Sequence, residues 1–145
     1  WVIGNAQFEP STTVATSFDY RPYGTELVLC QRYLPAYPTT STVTPSEELP
    51  IAGSGVSTTV MYGLFIFPVC TRVPVTNIVV SSASHFTTSR PSTGNIVATA
   101  IGIRTGGSQS ASLNITVASG LVADIPYFLF ANNASARIVF TGAEL

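Results

Sequence analysis

Side chains that could carry out chemistry are scarce in this chain. It contains one histidine, two cysteines, seven acidic residues and six arginines, and it has no lysine. The histidine, His85, lies in a polar segment between Ser84 and Phe86. A catalytic role for it would require a serine or cysteine nucleophile and an orienting carboxylate nearby in space. No G-x-S-x-G sequence is present, and a loop histidine alone is typical of a surface or hydrogen-bonding residue.

The acidic residues and cysteines do not indicate a catalytic or metal site. Glu26 precedes Arg32 in a short segment, Glu47 and Glu48 adjoin in a proline-rich stretch, and Asp124 lies just before a proline. A glycosidase would need two of these carboxylates brought to a suitable separation by the fold. One histidine, two separated cysteines and scattered acids also lack the spacing of metal ligands. We therefore expect no cofactor, no metal and no enzymatic activity.

Binding is a simpler expectation than catalysis. Glycan sites combine an exposed aromatic face with planar hydrogen-bonding side chains, and several residues supply these groups. The candidate ligand contacts are Tyr33, Tyr37, His85, Phe86 and Arg90. The alternative is that the aromatic rings belong to the core and that the arginine is simply solvated.

Composition limits the class of protein. A chain of 145 residues can form one domain with a real core, and 46% of its residues are hydrophobic while only 9% are charged. Such a surface must consist largely of serine, threonine, asparagine, glycine and backbone. This composition favours a β-rich assembly or a protomer that packs against copies of itself. The net charge of −1 excludes a basic surface for nucleic acid.

Two further features concern processing and membranes. The chain starts at Trp1 rather than methionine, which predicts a fragment or a processed product. No apolar run reaches the roughly twenty residues of a membrane span. The run from Val60 to Val69 is interrupted by Gly63 and Pro68, so it is predicted to be a buried strand and no membrane insertion is expected.

One short helix is predicted near residues 25–34. The sequence Pro22-Tyr23-Gly24 is a turn signal, and Thr25 is a suitable N-terminal cap. In a helix, residues spaced three and four apart lie on one face, and here these residues are Leu27, Cys30, Gln31 and Leu34. As a strand it would have no clean apolar side. We expect Leu27, Leu29 and Cys30 in the core, and we expect Cys30 and Cys70 to be buried free thiols.

The rest of the chain shows strand patterns. Residues 34–51 contain four prolines and are predicted to be a loop or linker. Residues 58–67 read as a strand buried on both faces, and residues 111–118 alternate as a half-buried strand. Residues 127–131 and 136–141 are predicted to pair as a hairpin.

These strands predict a mainly β fold, an antiparallel β-sandwich or jelly roll with one short helix. The expected organisation is a lead strand or bridge from an upstream domain over residues 1–20, the helix and linker over 21–56, and the sandwich module over 57–145.

Several segments resemble one family of proteins. The stretch from Ala15 to Tyr33, which reads ATSFDYRPYGTELVLCQRY, is similar to a segment that recurs in tail-fibre and other virion structural proteins of tailed bacteriophages. Residues 111–117, 130–137 and 140–145 resemble the C-terminal module of the same proteins. The family pattern has proline at Ser17, glutamate at Asp19 and a second tyrosine at Leu34, and these differences are conservative for a fold.

The resemblance implies a function that composition alone does not. It implies a virion structural protein, assembled in the host cytoplasm as a fibre or appendage module that attaches to a host-surface glycan. The expected partners are copies of the same chain, as a trimer, and other virion proteins. One alternative is a capsid or tail decoration protein that joins virion components and binds no glycan; another is a fragment of a polysaccharide-degrading tailspike.

Overall fold

The computed structural model describes residues 22–37, 48–90 and 93–143. In these ranges the chain forms one α-helix, one short 3-10 helix and nine strands. Their bounds are α1 Tyr23–Tyr33, β1 Ala36–Tyr37, β2 Glu48–Gly55, β3 Val60–Ile66, β4 Asn77–Val80, the 3-10 helix Ala83–His85, β5 Phe86–Arg90, β6 Thr93–Gly106, β7 Ser110–Val117, β8 Pro126–Ala131 and β9 Ile138–Thr141.

The predicted short helix is present as α1. It begins after Pro22, whose carbonyl oxygen accepts hydrogen bonds from the backbone N–H groups of Thr25 and Glu26 at 2.9 and 3.2 Å. Thr25 therefore lies inside the helix, and Pro22, which makes no side-chain cap, precedes it. The backbone N–H of Leu34 donates to the carbonyl of Cys30 at 2.9 Å and ends the helix.

The prediction that α1 contributes to the core is wrong. No side chain of the helix is buried: Leu27 and Leu29 are half-buried, and Cys30 is exposed. The helix meets the loop after β3 through its backbone, where the N–H of Arg72 donates to the carbonyl of Arg32 at 3.0 Å. The apolar spacing is present, but the described chain covers this side of the helix only in part.

Six strands form a closed antiparallel barrel in the order β2-β3-β7-β6-β5-β8. Strand β8 pairs with β5 on one side and with β2 on the other, and this second pairing closes the barrel. The expectation of a mainly β, antiparallel fold is confirmed, but these strands form a barrel rather than the predicted sandwich or jelly roll. The predicted hairpin of residues 127–131 with 136–141 is also wrong, because β8 belongs to the barrel and β9 to another sheet.

Strand β2 begins inside the region that was predicted to be a linker. Its pairing with β8 shifts register between Glu48 and Ala52, so the ladder is irregular where Pro50 lies. A proline lacks the N–H that a regular ladder needs, and an irregularity of this kind accommodates it. The barrel therefore includes residues that precede position 57, the predicted start of the β module.

A second sheet of three strands, in the order β1-β9-β4, packs beside the barrel. Aromatic rings join the two sheets: the ring of Phe140 on β9 lies 4.9 Å from that of Phe65 and 5.0 Å from that of Phe67, centroid to centroid. The Phe67 contact is edge-to-face, a favourable arrangement for aromatic pairs. The barrel and the second sheet consequently share one continuous core.

The two faces of β3 differ. Met61, Gly63 and Phe65 point into the barrel and are buried, whereas Leu64 and Ile66 point outward and are 48% and 64% exposed. The prediction that both faces of this strand are buried is therefore wrong for the outer face. On β7, by contrast, the predicted alternation is confirmed, because its inward residues are all buried.

Both cysteines are free thiols, as predicted, but both are exposed rather than buried. Cys30 lies on the exposed helix α1, and Cys70 lies in the loop after β3. No helix in the described ranges is long and apolar enough to cross a membrane.

Candidate functional site

The structure distributes the predicted contact residues over three places. Tyr33 is 42% exposed at the end of α1, and Tyr37 is half-buried on β1, where it opposes Ile138. His85, Phe86 and Arg90 lie on the 3-10 helix and β5. The five residues therefore do not form a single site, although His85 and Phe86 adjoin one.

His85 is held by a serine. Its Nδ1 lies 3.0 Å from Oγ of Ser81, and that oxygen also accepts the backbone N–H of Arg137 at 3.1 Å. In a serine-hydrolase arrangement the histidine needs a carboxylate on its other ring nitrogen. Ser81 is the side-chain partner that His85 has in the described ranges. This geometry ties the 3-10 helix to the residue before β9, and within the described ranges no carboxylate contacts the other ring nitrogen of His85 to complete a triad.

Phe86 and Arg90 occupy internal positions of the barrel wall. Phe86 is fully buried, so its ring is not accessible to a ligand in this structure. Arg90 is half-buried at the end of β5, with its guanidinium carbon 5.9 Å from the ring centroid of Tyr127. The hydroxyl of that tyrosine accepts the backbone N–H of Val122 at 2.9 Å. Both aromatic rings therefore serve the core.

A pocket lies on the outside of the barrel beside these residues. Its volume is about 100 Å³, and it is lined by Thr87 on β5, Asn95 on β6, and Phe130, Ala131 and Asn132 at the end of β8. Strand register explains the grouping, because Thr87 pairs directly with Phe130 on one side and with Val97 on the other. The backbone N–H of Asn132 donates to the carbonyl of His85 at 2.7 Å and fixes this end of the pocket.

The floor of the pocket carries an unpaired polar atom. Thr87 is only 3% exposed, and its Oγ1 is buried with no hydrogen-bond partner in the described ranges. The neighbouring Thr88 is also buried, but its hydroxyl donates to the carbonyl of Ile96 at 3.2 Å. A buried hydroxyl without a partner costs about 1–3 kcal/mol. A water or a ligand hydroxyl in the pocket would offset this cost.

The pocket combines three chemical groups. Phe130 supplies an apolar ring that is partly exposed, Asn95 and Asn132 supply exposed amides, and Thr87 supplies the buried hydroxyl. All of them are uncharged, and each polar group can both donate and accept hydrogen bonds. These groups suit a small neutral ligand that carries several hydroxyl or amide groups, and they offer neither a nucleophile nor an acid–base pair.

Sequence reasoning missed this pocket. The sequence patterns do not single out Asn95 or Asn132 as ligand contacts, and Phe130 falls in the segment 127–131 that was predicted to form a hairpin. Thr87 follows the buried Phe86, so the alternation of strand side chains predicts an outward and solvated hydroxyl. Its burial depends on the neighbouring strands, which no local pattern reveals.

The described ranges contain no group of three or more histidine, cysteine or acidic residues that could hold a metal ion. Comparisons of the chain with protein-family models, with curated proteins and with solved structures give no match.

Proposed function

We propose that this chain is a structural module of a tailed-bacteriophage virion, non-enzymatic and trimeric, that attaches a fibre or appendage to a neutral host-surface glycan. The resemblance of the stretch up to Tyr33 supports the virion assignment. The low charged fraction of 9% and the apolar side chains on the outside of β3 support packing against copies of the chain. Assembly takes place in the host cytoplasm and the mature location is the virion.

The unpaired hydroxyl of Thr87 is the observation that carries the glycan part of the proposal. It is buried, it lies at the floor of a pocket, and the side chains around it are an aromatic ring and two amides. A saccharide hydroxyl can pair with it while the sugar ring packs on Phe130 and the amides contact the flanking hydroxyl groups. A pocket of about 100 Å³ suits one sugar substituent rather than a whole oligosaccharide.

The proposal is tested by removing this hydroxyl with a substitution that keeps the shape of the side chain. Binding of the purified chain to an array of bacterial surface glycans identifies the best neutral ligand, which is then titrated by calorimetry. We expect Thr87→Val to weaken binding by about tenfold, the value of one hydrogen bond of roughly 1.4 kcal/mol. We expect stability to stay the same or rise, because the buried polar atom is removed.

The matched control is Thr99→Val on β6, which removes an exposed hydroxyl that donates to the carbonyl of Thr116 at 3.1 Å. This variant should bind normally. Saturable binding that Thr87→Val leaves unchanged would contradict the pocket, and a folded trimer that binds no glycan would contradict the attachment role.

A joining role without glycan binding is the second candidate, and a specific observation favours it. The outward residues Leu64 and Phe128 both pair with Ala52, so they flank a small residue in one row across β3, β2 and β8. They are 48% and 42% exposed. If this row binds a neighbouring virion protein, Leu64→Ser and Phe128→Ser should abolish that association, measured by sedimentation, while lowering the free energy of unfolding by about 1 kcal/mol each.

A further inference from the structure

A second polar cluster lies on the outside of the barrel, on strands β3, β7 and β6, and it shares no residue with the Thr87 pocket. The register aligns Tyr62 on β3, Asn114 on β7 and Gly102 on β6 in one row across three neighbouring strands. Asn114 is exposed, and a Cβ added to Gly102 would meet no atom within 4 Å. Because Gly102 has no side chain, the surface beside Asn114 is open and accessible to a flat ligand.

A β-bulge in β6 directs an arginine side chain toward this row. In the pairing of β6 with β7, Ile103 opposes Leu113 and Thr105 opposes Ser112, so Arg104 is the extra residue on β6. A bulge of this kind redirects the side chain of the inserted residue. The guanidinium carbon of Arg104 lies 4.3 Å from the ring centroid of Tyr62. Because β7 separates the two strands, the arginine reaches across β7, close to the row that contains Asn114.

The charge of Arg104 is not neutralised by the described part of the chain. Strands β3, β6 and β7 contain no acidic residue, and Arg104 forms no ion pair within the described ranges. Stacking on an aromatic face restricts the guanidinium, so less side-chain entropy is lost when it forms further hydrogen bonds. A restrained guanidinium presents its N–H groups as a fork that matches the two oxygens of a carboxylate.

The groups beside Arg104 indicate which class of ligand carries the carboxylate. Asn114 offers an exposed amide, and Ser112 on the same strand offers a hydroxyl beside the arginine. These polar groups suit the ring hydroxyls of a sugar, and the ring of Tyr62 and the exposed Leu64, which pairs with Ser112, can contact its apolar face. From this arrangement we propose that Arg104, Tyr62 and Asn114 form a subsite for the carboxylate of an acidic saccharide, an inference that rests on the proposed glycan attachment and adds to it a separate site for acidic saccharides.

The experiment uses trigalacturonic acid as the probe, with its methyl ester as the uncharged counterpart. Binding to the full chain is followed by ¹⁵N–¹H NMR, which reports the side-chain amide of Asn114 and the backbone amide of Gly102 directly. We expect trigalacturonic acid to shift both signals and the ester to bind at least about tenfold more weakly, since one charge-assisted pair contributes about that factor. Affinity should also fall as salt rises.

Variants distinguish a binding role from a structural one. Arg104→Gln should weaken binding of trigalacturonic acid by about tenfold, and Arg104→Lys should restore only part of it, because lysine keeps the charge but lacks the planar fork. The control Arg137→Gln removes an exposed charge elsewhere and should leave binding unchanged. Arg104 is exposed, so these variants are expected to fold normally.

The outcomes separate this subsite from the Thr87 pocket. Thr87→Val should reduce neutral-glycan binding and leave the trigalacturonic acid signals intact, whereas Arg104→Gln should do the reverse. No binding of trigalacturonic acid at millimolar concentration overturns the subsite. So does binding that is unchanged in Arg104→Gln. Equal affinity for a triglutamate peptide overturns the assignment to a saccharide.

Discussion

The barrel and the helix α1 are similar in apolar content but opposite in burial. Strand β7 buries every inward residue, and Leu113 and Ile115 are completely inaccessible. In α1 no residue is buried, although leucines, a valine and a cysteine recur along it. An apolar pattern shows which face of an element could be covered, but a partner surface has to be present for burial to follow. The described part of the stretch from Ala15 to Tyr33, the helix α1, therefore contributes no buried residue to the core, whereas residues 111–117, which carry the same resemblance, contribute several.

The largest expected difference comes from shortening a leucine in each region. Leu113→Ala opens a cavity in the barrel and should lower the free energy of unfolding by about 2–5 kcal/mol. Leu34→Ala, at the end of α1, shortens a side chain that is 45% exposed and should cost less than about 1 kcal/mol. The free energies of unfolding of both variants are measured by urea denaturation. Equal losses would show that α1 is covered in solution.

Replacing a glycine with alanine should change stability in opposite directions in the two regions. Gly53 on β2 pairs with Gly63 on β3, and a Cβ at Gly53 would overlap the carbonyl oxygen of Tyr62 and lie 2.7 Å from the Cα of Gly63. Gly53→Ala should therefore destabilise by about 1–3 kcal/mol. Gly24 in α1 has open space around it, and Gly24→Ala should stabilise by about 0.5–1 kcal/mol through helix propensity.

Thermal unfolding of the two alanine variants is the check, with the wild type in the same experiment. A loss of stability in Gly24→Ala would mean that something packs closely against α1 in solution. A neutral Gly53→Ala would mean that strands β2 and β3 separate more easily than their paired glycines suggest.

The smallest effect concerns the thiols. Cys30 and Cys70 are both exposed, so both should react with Ellman's reagent in the folded state, and denaturant should reveal no additional thiol. Cys30→Ser should change the free energy of unfolding by less than about 0.5 kcal/mol, because it replaces a surface side chain. If Cys30 reacts only after unfolding, the helix is covered and the contrast with the barrel disappears.

Local patterns predicted the elements better than their arrangement. The alternation around Leu113 and Ile115 predicted β7, and the turn at Pro22 with the spacing of three and four predicted α1. The barrel could not be predicted in this way, because its closure depends on the pairing of β8 with β2, which are far apart in sequence. The adjacency of residues 127–131 and 136–141 favoured a hairpin, whereas β9 pairs with β1 and β4.

The candidate site shows the same limit. His85 and Phe86 were selected for their residue types, and they lie next to the pocket, but the residues that line it come from three strands. Thr87 is distinguished by the absence of a hydrogen-bond partner, which is a property of the folded neighbourhood. Arg104 was likewise invisible as a special residue, because only the register with β7 reveals that it occupies a bulge.

The closure of the barrel by β8 also sets an order of events during synthesis. Strands β2 and β3, and later β6 and β7, can pair as soon as they have left the ribosome, because each pair is close in sequence. Strand β2 has to wait for Pro126–Ala131 before its other edge is occupied. Contacts of such long sequence separation form slowly. The nascent chain therefore exposes an open, curved sheet until residues 126–131 have been translated, and a chain that stalls before residue 126 leaves a sheet with two free edges, at β2 and β5.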